Sequence, residues 1–306
     1  MRRIGYRYQR TLARTAEVQG VGFITGSHSR LRFLPSAPDS GVVFVRTDLP
    51  GRPSFAASAE QVTDTNRRTT IGPNGSGVTL VEHALAALAG LRIDNCTIEL
   101  DAPEPPGLDG SAAGFVTALV AAGAALQSAR RSTLAVTEPI VINHNGATVG
   151  LHPPTNGSTG LTASYILDYG PNSPIVRQSY TTELRPETFA REIAGCRTFL
   201  LESEARELRN QGIGQHLTPD QLLVFGPRGP LENSLRFADE PARHKVLDLV
   251  GDLSLCGFDL VGHVVAYRSG HALNVALAAA LTAEAMRPDD VRANPRVGFA
   301  RRQRAA

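Results

Sequence analysis

The sequence predicts an α+β fold of two similar halves, residues 1–130 and 131–306. Three observations predict it. Runs that alternate apolar and polar residues mark strands, because successive strand side chains point to opposite faces. Longer apolar runs bounded by glycine mark helices. The order strands, helix, strand, helix occurs twice along the chain, and a repeated order is the signature of duplication. In a layered fold the helices of the two halves could face each other.

The elements follow in order. "TLARTAEVQGVGF", "RLRFLPS" and "GVVFVRTDL" alternate and read as strands joined by glycine turns. "TLVEHALAALAGL" (79–91) reads as a helix ended near Gly90, and "NCTIELDA" as a strand. "PEPPGLDGSAAGF" is a turn-rich loop, and "FVTALVAAGAALQ" a second helix. "QSARRST" (127–133) is polar and reads as a linker, with strands near 134–151 and 161–168 beyond it. "ARHKVLDLVGDLSLCGF" then reads as a helix closed by glycine, "DLVGHVVAY" as a strand, "RSG" as a turn and "HALNVALAAALTAEAM" as a helix. From about residue 288 the chain has no apolar period and reads as a loose tail.

Composition narrows the class. Hydrophobic residues make up 42% and charged residues 20%, which are globular values. No run approaches the ~20 apolar residues of a membrane span. The basic start "MRRIGYRYQR" leads into no apolar segment, so it is not a secretory signal. Cys96, Cys196 and Cys256 are odd in number and far apart, which points to a reducing, cytoplasmic compartment rather than a disulfide framework. A net charge of +2 predicts no nucleic-acid partner. Lys245 is the only lysine among 31 basic residues, a chance event or a site that needs a compact ammonium.

The stretch "RHKVLDLVGD" carries His244, Asp248 and Asp252 at steps of four. Helical residues four apart share a face, so this row could ligate a metal, or it could be an ordinary polar face. Glu82-His83 begins the first helix of the other half. Equivalent helices of duplicated halves can meet, and two histidines with one carboxylate would leave a metal position open for water. Glu82, beside a ligand, could take that water's proton. Asp252, one turn past Asp248, could orient a histidine. The same ligand set also suits a ferrous oxygenase, although an oxygenase needs no acid/base pair. His271 opens the last helix after "YRSG". The helix dipole gives no structural reason for a histidine there, so a catalytic acid and a capping or core residue both fit. His28, His144, His152, His216 and His263 have no such company and read as surface or core residues.

Between about residues 10 and 282, "QGVGFITG", "VRTDL", "LVEHALAALAGLRIDNCTIELDAPEPPGLDGSAAGFV", "CRTF", "SLRFADEPARHKVLDLVGDLSLCG" and "YRSGHALN" follow one another. In sequence, order and spacing they resemble the signatures of the UDP-3-O-acyl-N-acetylglucosamine deacetylases, zinc amidases of lipid A synthesis. The resemblance implies two similar domains, each a small sheet with two helices and an insert, with the helix layers sandwiched between the sheets. It implies zinc on His83, His244 and Asp248, with ferrous iron as the alternative in the cell. Zinc-bound water would attack the acetamide, with Glu82 as general base and His271 as general acid. Thr198 would polarise the carbonyl, Lys245 would lie near the oxyanion or substrate, and Asp252 would tune His271. Phe199, Arg268 and Leu222 would contact substrate.

The second insert, about residues 200–224, would form an apolar passage for the acyl chain, extended by Leu217, Leu222, Leu223, Val224 and Phe225 unless these simply cover the core. The implied partner is the UDP-linked acylated glucosamine, met by a monomer with transient contact to a membrane surface. The chain departs from the family at four places. Ile24 replaces a histidine, Leu80 a threonine, Thr137 a lysine and Gln221 an asparagine. None falls on the implied metal, base or acid. They leave open a deacetylase of a different acylated sugar and a non-catalytic binder of nucleotide sugars.

Overall fold

A computed structural model describes residues 1–155 and 157–287 of the chain. The tail from 288 lies outside the described residues. The first half contains β1 (Arg2–Leu12), β2 (Ala16–Val21), β3 (His28–Pro35), β4 (Val42–Arg46), β5 (Ser54–Ala56), β6 (Val62–Asp64), β7 (Thr70–Ile71), α1 (Glu82–Gly90), β8 (Cys96–Leu100) and α2 (Ala113–Ala122). β9 (Ala124–Ala135) leads to β10 (Ile140–His144), β11 (Ala147–His152), β12 (Leu161–Leu167) and β13 (Gln178–Glu183). A single turn, α3 (Pro186–Thr188), is followed by β14 (Phe199–Leu201), α4 (Glu202–Asn210), β15 (Leu223–Gly226) and β16 (Gly229–Pro230). The last elements are α5 (Glu240–Leu253), β17 (Asp259–Tyr267) and α6 (His271–Ala285).

The duplication is visible in the strand pairing. One sheet has the order β2-β3-β8-β4-β5, and the other contains β10-β11-β17-β12-β13. The corresponding pairs match in direction. β3 on β8 and β11 on β17 are antiparallel, and β4 on β8 and β12 on β17 are parallel. In each set a helix precedes the central strand and a helix follows it. Alternation is clean where one sheet face is wet: in β3, Ser29, Leu31 and Phe33 are buried between exposed or half-exposed neighbours. The helices lie between the sheets, α1 packing on α2 and α5, and α5 on α6, and one apolar core runs through both halves.

The helix expected through Gln127 and the linker expected over 127–133 are corrected by the structure. α2 stops at Ala122, and Gly123 closes it at φ 71°. Residues 124–135 are instead β9, paired antiparallel with β1, an element the alternation reading does not assign. Ala124, Ala125 and Leu126 are good helix formers, but cross-strand pairing over β1 overrides local propensity. The polar residues of the supposed linker are used as ties. Gln127 bonds Asn95 and Ser36, and Arg131 bonds Asp94 and Asp259. The division at 130/131 therefore falls inside a strand, and β1 joins the sheet of the second half. Among the described residues no helix is long and apolar enough to cross a membrane.

Candidate active site

The contact between α1 and α5 brings the two charged helix rows together. Glu82 is the first residue of α1, where the helix dipole favours a carboxylate. His83 follows it. From α5, His244 and Asp248 lie on one face, and the three candidate ligand atoms sit within 4.8 Å of one another. His83 Nε2 is 3.6 Å and His244 Nε2 3.4 Å from Asp248 Oδ1. The two imidazoles stand edge to face, 5.2 Å between centroids.

Several features fit a divalent cation. Asp248 Oδ1 is a buried oxygen without a hydrogen-bond partner among the described residues, although buried polar atoms are otherwise almost always paired. His244 Nδ1 lies 3.1 Å from the Cys196 carbonyl oxygen, so Nδ1–H donates there and the Nε2 lone pair is left facing the carboxylate. Burial holds the His244 pKa down to about 4 against the pull of Asp248, which keeps the ring neutral as a ligand must be. Burial works against the charge on Asp248, but His244 and Lys245 outweigh it and keep the carboxyl well below its ordinary range. Lys245, expected beside the oxyanion, donates from Nζ to Asp248 Oδ2 at 2.6 Å.

A second buried chain of contacts runs from Glu82 to His271. The Thr69 backbone N–H donates to Glu82 Oε2 at 3.0 Å, and the Thr69 hydroxyl donates to Asp252 Oδ1 at 2.7 Å. Asp252 Oδ2 accepts from His271 Nδ1 and from Asn274 Nδ2, each at 2.9 Å. The Asn274 side-chain oxygen accepts from Ser269 Oγ. His271 is the first residue of α6, where the dipole disfavours a cation. Burial also lowers its pKa, yet Asp252 outweighs burial and raises it to about 9. Its Nε2 points back toward Asp248 Oδ2, 3.9 Å away. Glu82 is pushed up by burial, against the opposing fields of His271 and His83.

The remaining expected residues divide. Thr198 Oγ1 lies 3.4 Å from His244 Nε2 and donates to the Gly110 carbonyl at 3.1 Å. Phe199 packs edge to face on His244, centroids 5.9 Å apart, and on Phe225 and Tyr169. Glu82, His83 and Thr198 open onto a cavity of about 540 Å³ whose wall includes Leu200, Leu208, Leu217, Leu222 and Val224 of the second insert. Leu223 and Phe225 do not reach that wall but are buried in the core. Arg268 is also absent from it; its side chain is exposed, with the guanidinium 6.0 Å from the Tyr267 ring. Ile24 and Leu80 line the cavity. Gln221 turns its side-chain oxygen back to Thr218 N–H, and Thr137 is exposed in the bend between β9 and β10.

Sequence reasoning does not single out Thr69 or Asn274. Asn274 lies in the quoted "YRSGHALN" motif and falls three residues after His271, which could have marked it. Thr69 lies in "NRRTTIG", a polar run with no pattern of its own.

The comparisons with known proteins agree along nearly the whole of this architecture. The family described as UDP-3-O-acyl N-acetylglycosamine deacetylase (LpxC) matches residues 9–283. The UDP-3-O-acyl-N-acetylglucosamine deacetylase of Myxococcus xanthus is 38% identical over 273 residues, covering 87% of this chain and 83% of the relative. The protein of the same name from Thermosynechococcus vestitus is 41% identical over 275 residues, with coverage of 89% and 93%. That from Nostoc sp. is 40% identical over 276 residues, with coverage of 88% and 96%. From residue 9 to residue 283, across both halves, this chain belongs to the UDP-3-O-acyl-N-acetylglucosamine deacetylase family.

Proposed function

We propose that the chain is a metal-dependent amide hydrolase that removes the acetyl group from UDP-linked 3-O-acyl-N-acetylglucosamine in lipid A biosynthesis, with zinc, or ferrous iron in the cell, held by His83, His244 and Asp248. The observation that carries the reading is the unpartnered buried Asp248 Oδ1 between two imidazoles. Family membership supports the substrate class. When bound there, the ion would supply Lewis acidity at the amide carbonyl and lower the pKa of a coordinated water to about 7.

The protein's own groups divide the proton work. Glu82 accepts the proton of the attacking water, and the Thr69 N–H fixes its other oxygen. The Thr198 hydroxyl, beside His244, turns from the Gly110 carbonyl to donate to the substrate carbonyl oxygen as negative charge grows on it. His271, cationic at neutral pH, gives its Nε2 proton to the leaving amine, and Asp252 on Nδ1 steadies the ring in both charge states. Lys245 balances the charge of Asp248. Water and amide are consumed, and acetate and a free glucosamine amine are formed. The apolar wall of Leu217, Leu222 and Val224 takes the acyl chain. The protein acts as a cytoplasmic monomer that meets the membrane surface transiently; three free, buried cysteines support the reducing compartment alone.

The test is a deacetylation assay on a set of UDP-linked acyl sugars, before and after chelation, with zinc or ferrous iron added back. Activity that is lost with the chelator and restored by metal supports the reading. A metal-loaded protein that deacetylates no member of the set would end it. The same chemistry on a different acylated sugar is the second reading, favoured by Ile24 and Leu80 on the cavity wall, and the same set of sugars separates the two.

A further inference from the structure

We infer that Thr69 is a positioning residue of the reaction, a single residue whose backbone orients the general base and whose hydroxyl orients the partner of the general acid. This deepens the proposed function and rests on it. Thr69 is fully buried and lies between the two halves of the site. Its N–H donates to Glu82 Oε2, and its carbonyl accepts from the N–H of Val81, the residue before Glu82. Both backbone groups are therefore spent on the start of α1. The hydroxyl points the other way, into the second half, and donates to Asp252 Oδ1 at 2.7 Å. It also lies 3.3 Å from His271 Nδ1.

The carboxylate it meets has its other contacts fixed. Asp252 Oδ2 receives His271 and Asn274, so the Thr69 hydroxyl is the side-chain donor to Oδ1. A carboxylate held on both oxygens cannot rotate about its Cβ–Cγ bond without breaking a charge-assisted bond. Its orientation sets the direction of the His271 Nδ1–H bond and hence where Nε2 points. Without the hydroxyl, one buried carboxylate oxygen has no side-chain donor among the described residues. The carboxylate can then turn, and His271 turns with it. The base and the acid belong to different halves, and Thr69 bonds the base and the carboxylate that holds the acid, so it ties their positions together. A purely structural threonine would need neither the hydroxyl-to-carboxylate bond nor a place between base and acid.

Three experiments on the metal-loaded full chain test this. Thr69→Val keeps the shape and the backbone N–H to Glu82 but removes the hydroxyl, and Thr69→Ser keeps the hydroxyl. A hydrogen bond to a charged group corresponds to roughly 10- to 100-fold. Thr69→Val is expected to lose that much in kcat with KM and bound metal unchanged, and Thr69→Ser to regain most of it. The third arm is a double-mutant cycle with Asp252→Ala, in which Thr69→Val should cost little further because its effect passes through Asp252. If Thr69→Val matches the parent in kcat, or lowers kcat equally with and without Asp252, or is not rescued by serine, the inference is overturned. A Thr69→Val protein that folds poorly leaves the comparison to Thr69→Ala and Thr69→Ser, scored per bound metal by the same serine rescue. A parent protein inactive on every acyl sugar would instead defeat the proposed function, so the two failures are distinguishable.

Discussion

At the scale of single residues, the proposed function assigns metal holding and proton transfer to different groups, and substitutions should separate them too. Glu82→Gln should keep its metal and lose on the order of 10²–10⁴-fold in kcat, because Glu82 is the proposed base beside the proposed ligand His83 and is not itself in the proposed ligand set. His244→Ala and Asp248→Ala should instead lower bound metal well below one per chain, as read by elemental analysis. One tight metal per chain in both variants would show the ligand set to be wrong. His271 makes a prediction about pH. Its ordinary value of 6.5 rises to about 9 because Asp252 outweighs burial. A raised folded-state pKa gives stability that is complete below the unfolded pKa of about 6.5 and is lost as the pH rises through about 9. Thermal unfolding of metal-free protein should therefore show a fall over that window that is absent in His271→Ala, and parallel profiles would refute the assignment. The residues of the proposed ligand set and acid/base pair could be singled out in the sequence because each has a local mark: a step of four on a helix, or a place at a helix start. Thr69 was not legible, because its contacts with Asp252 and His271 span 183 and 202 residues and follow no local period.

At the scale of elements, the meeting of α1 and α5 depends on one glycine. A side chain on Gly251, inside α5, would collide with the backbone carbonyl of Glu82. Glycine within a helix costs about 1 kcal/mol relative to alanine, so its presence here reflects the close crossing rather than helix formation. Gly251→Ala should push the helices apart, lowering stability by roughly 1–3 kcal/mol, as overpacking does, and weakening metal binding because His83 and Asp248 are carried on opposite sides of that contact. Urea unfolding and metal titration together check it; unchanged metal affinity would mean that the crossing does not set the site. The second insert makes a separate prediction. Leu217, Leu222 and Val224 face the cavity, so shortening the substrate acyl chain by four carbons should weaken binding by up to about 3 kcal/mol, at about 0.8 kcal/mol per buried methylene. Equal affinity for acylated and non-acylated substrate would leave the wall without that role. Strands β3, β8 and β17 and helices α1, α5 and α6 were readable from their periods. β9 was not, because "AALQSARRST" mixes helix-forming and polar residues, and its conformation is decided by β1, more than a hundred residues earlier in the chain.

At the scale of the whole molecule, the repeated strand order explains why the proposed base and acid come from different halves, while β1 and β9 stand outside the repeat and bind the halves together. The tie is a cluster of four charges. Arg7 of β1 donates to Asp94 from both terminal nitrogens, at 2.7 and 2.6 Å, and also to Asp259 at the start of β17. Arg131 of β9 reaches the same two carboxylates. Asp94 precedes β8 in the first sheet, so the cluster spans both sheets, and it also accepts from the Arg10 N–H. Asp94 is almost wholly buried, and its removal would leave two guanidinium groups sharing one partly exposed Asp259. Breaking a buried pair by deleting one partner typically costs about 3–5 kcal/mol; with Asp259 still present, the lower end applies. Asp94→Ala should therefore lower the urea midpoint by the equivalent of about 3 kcal/mol, with the slope of the transition unchanged if the halves still unfold together. Because none of these groups touches the proposed metal ligands, kcat of the folded protein should be unaltered. A split transition would show that the cluster couples the halves. An unchanged midpoint would mean that the shared apolar core alone holds them, and that the charges on β1 and β9 serve only to place the strands.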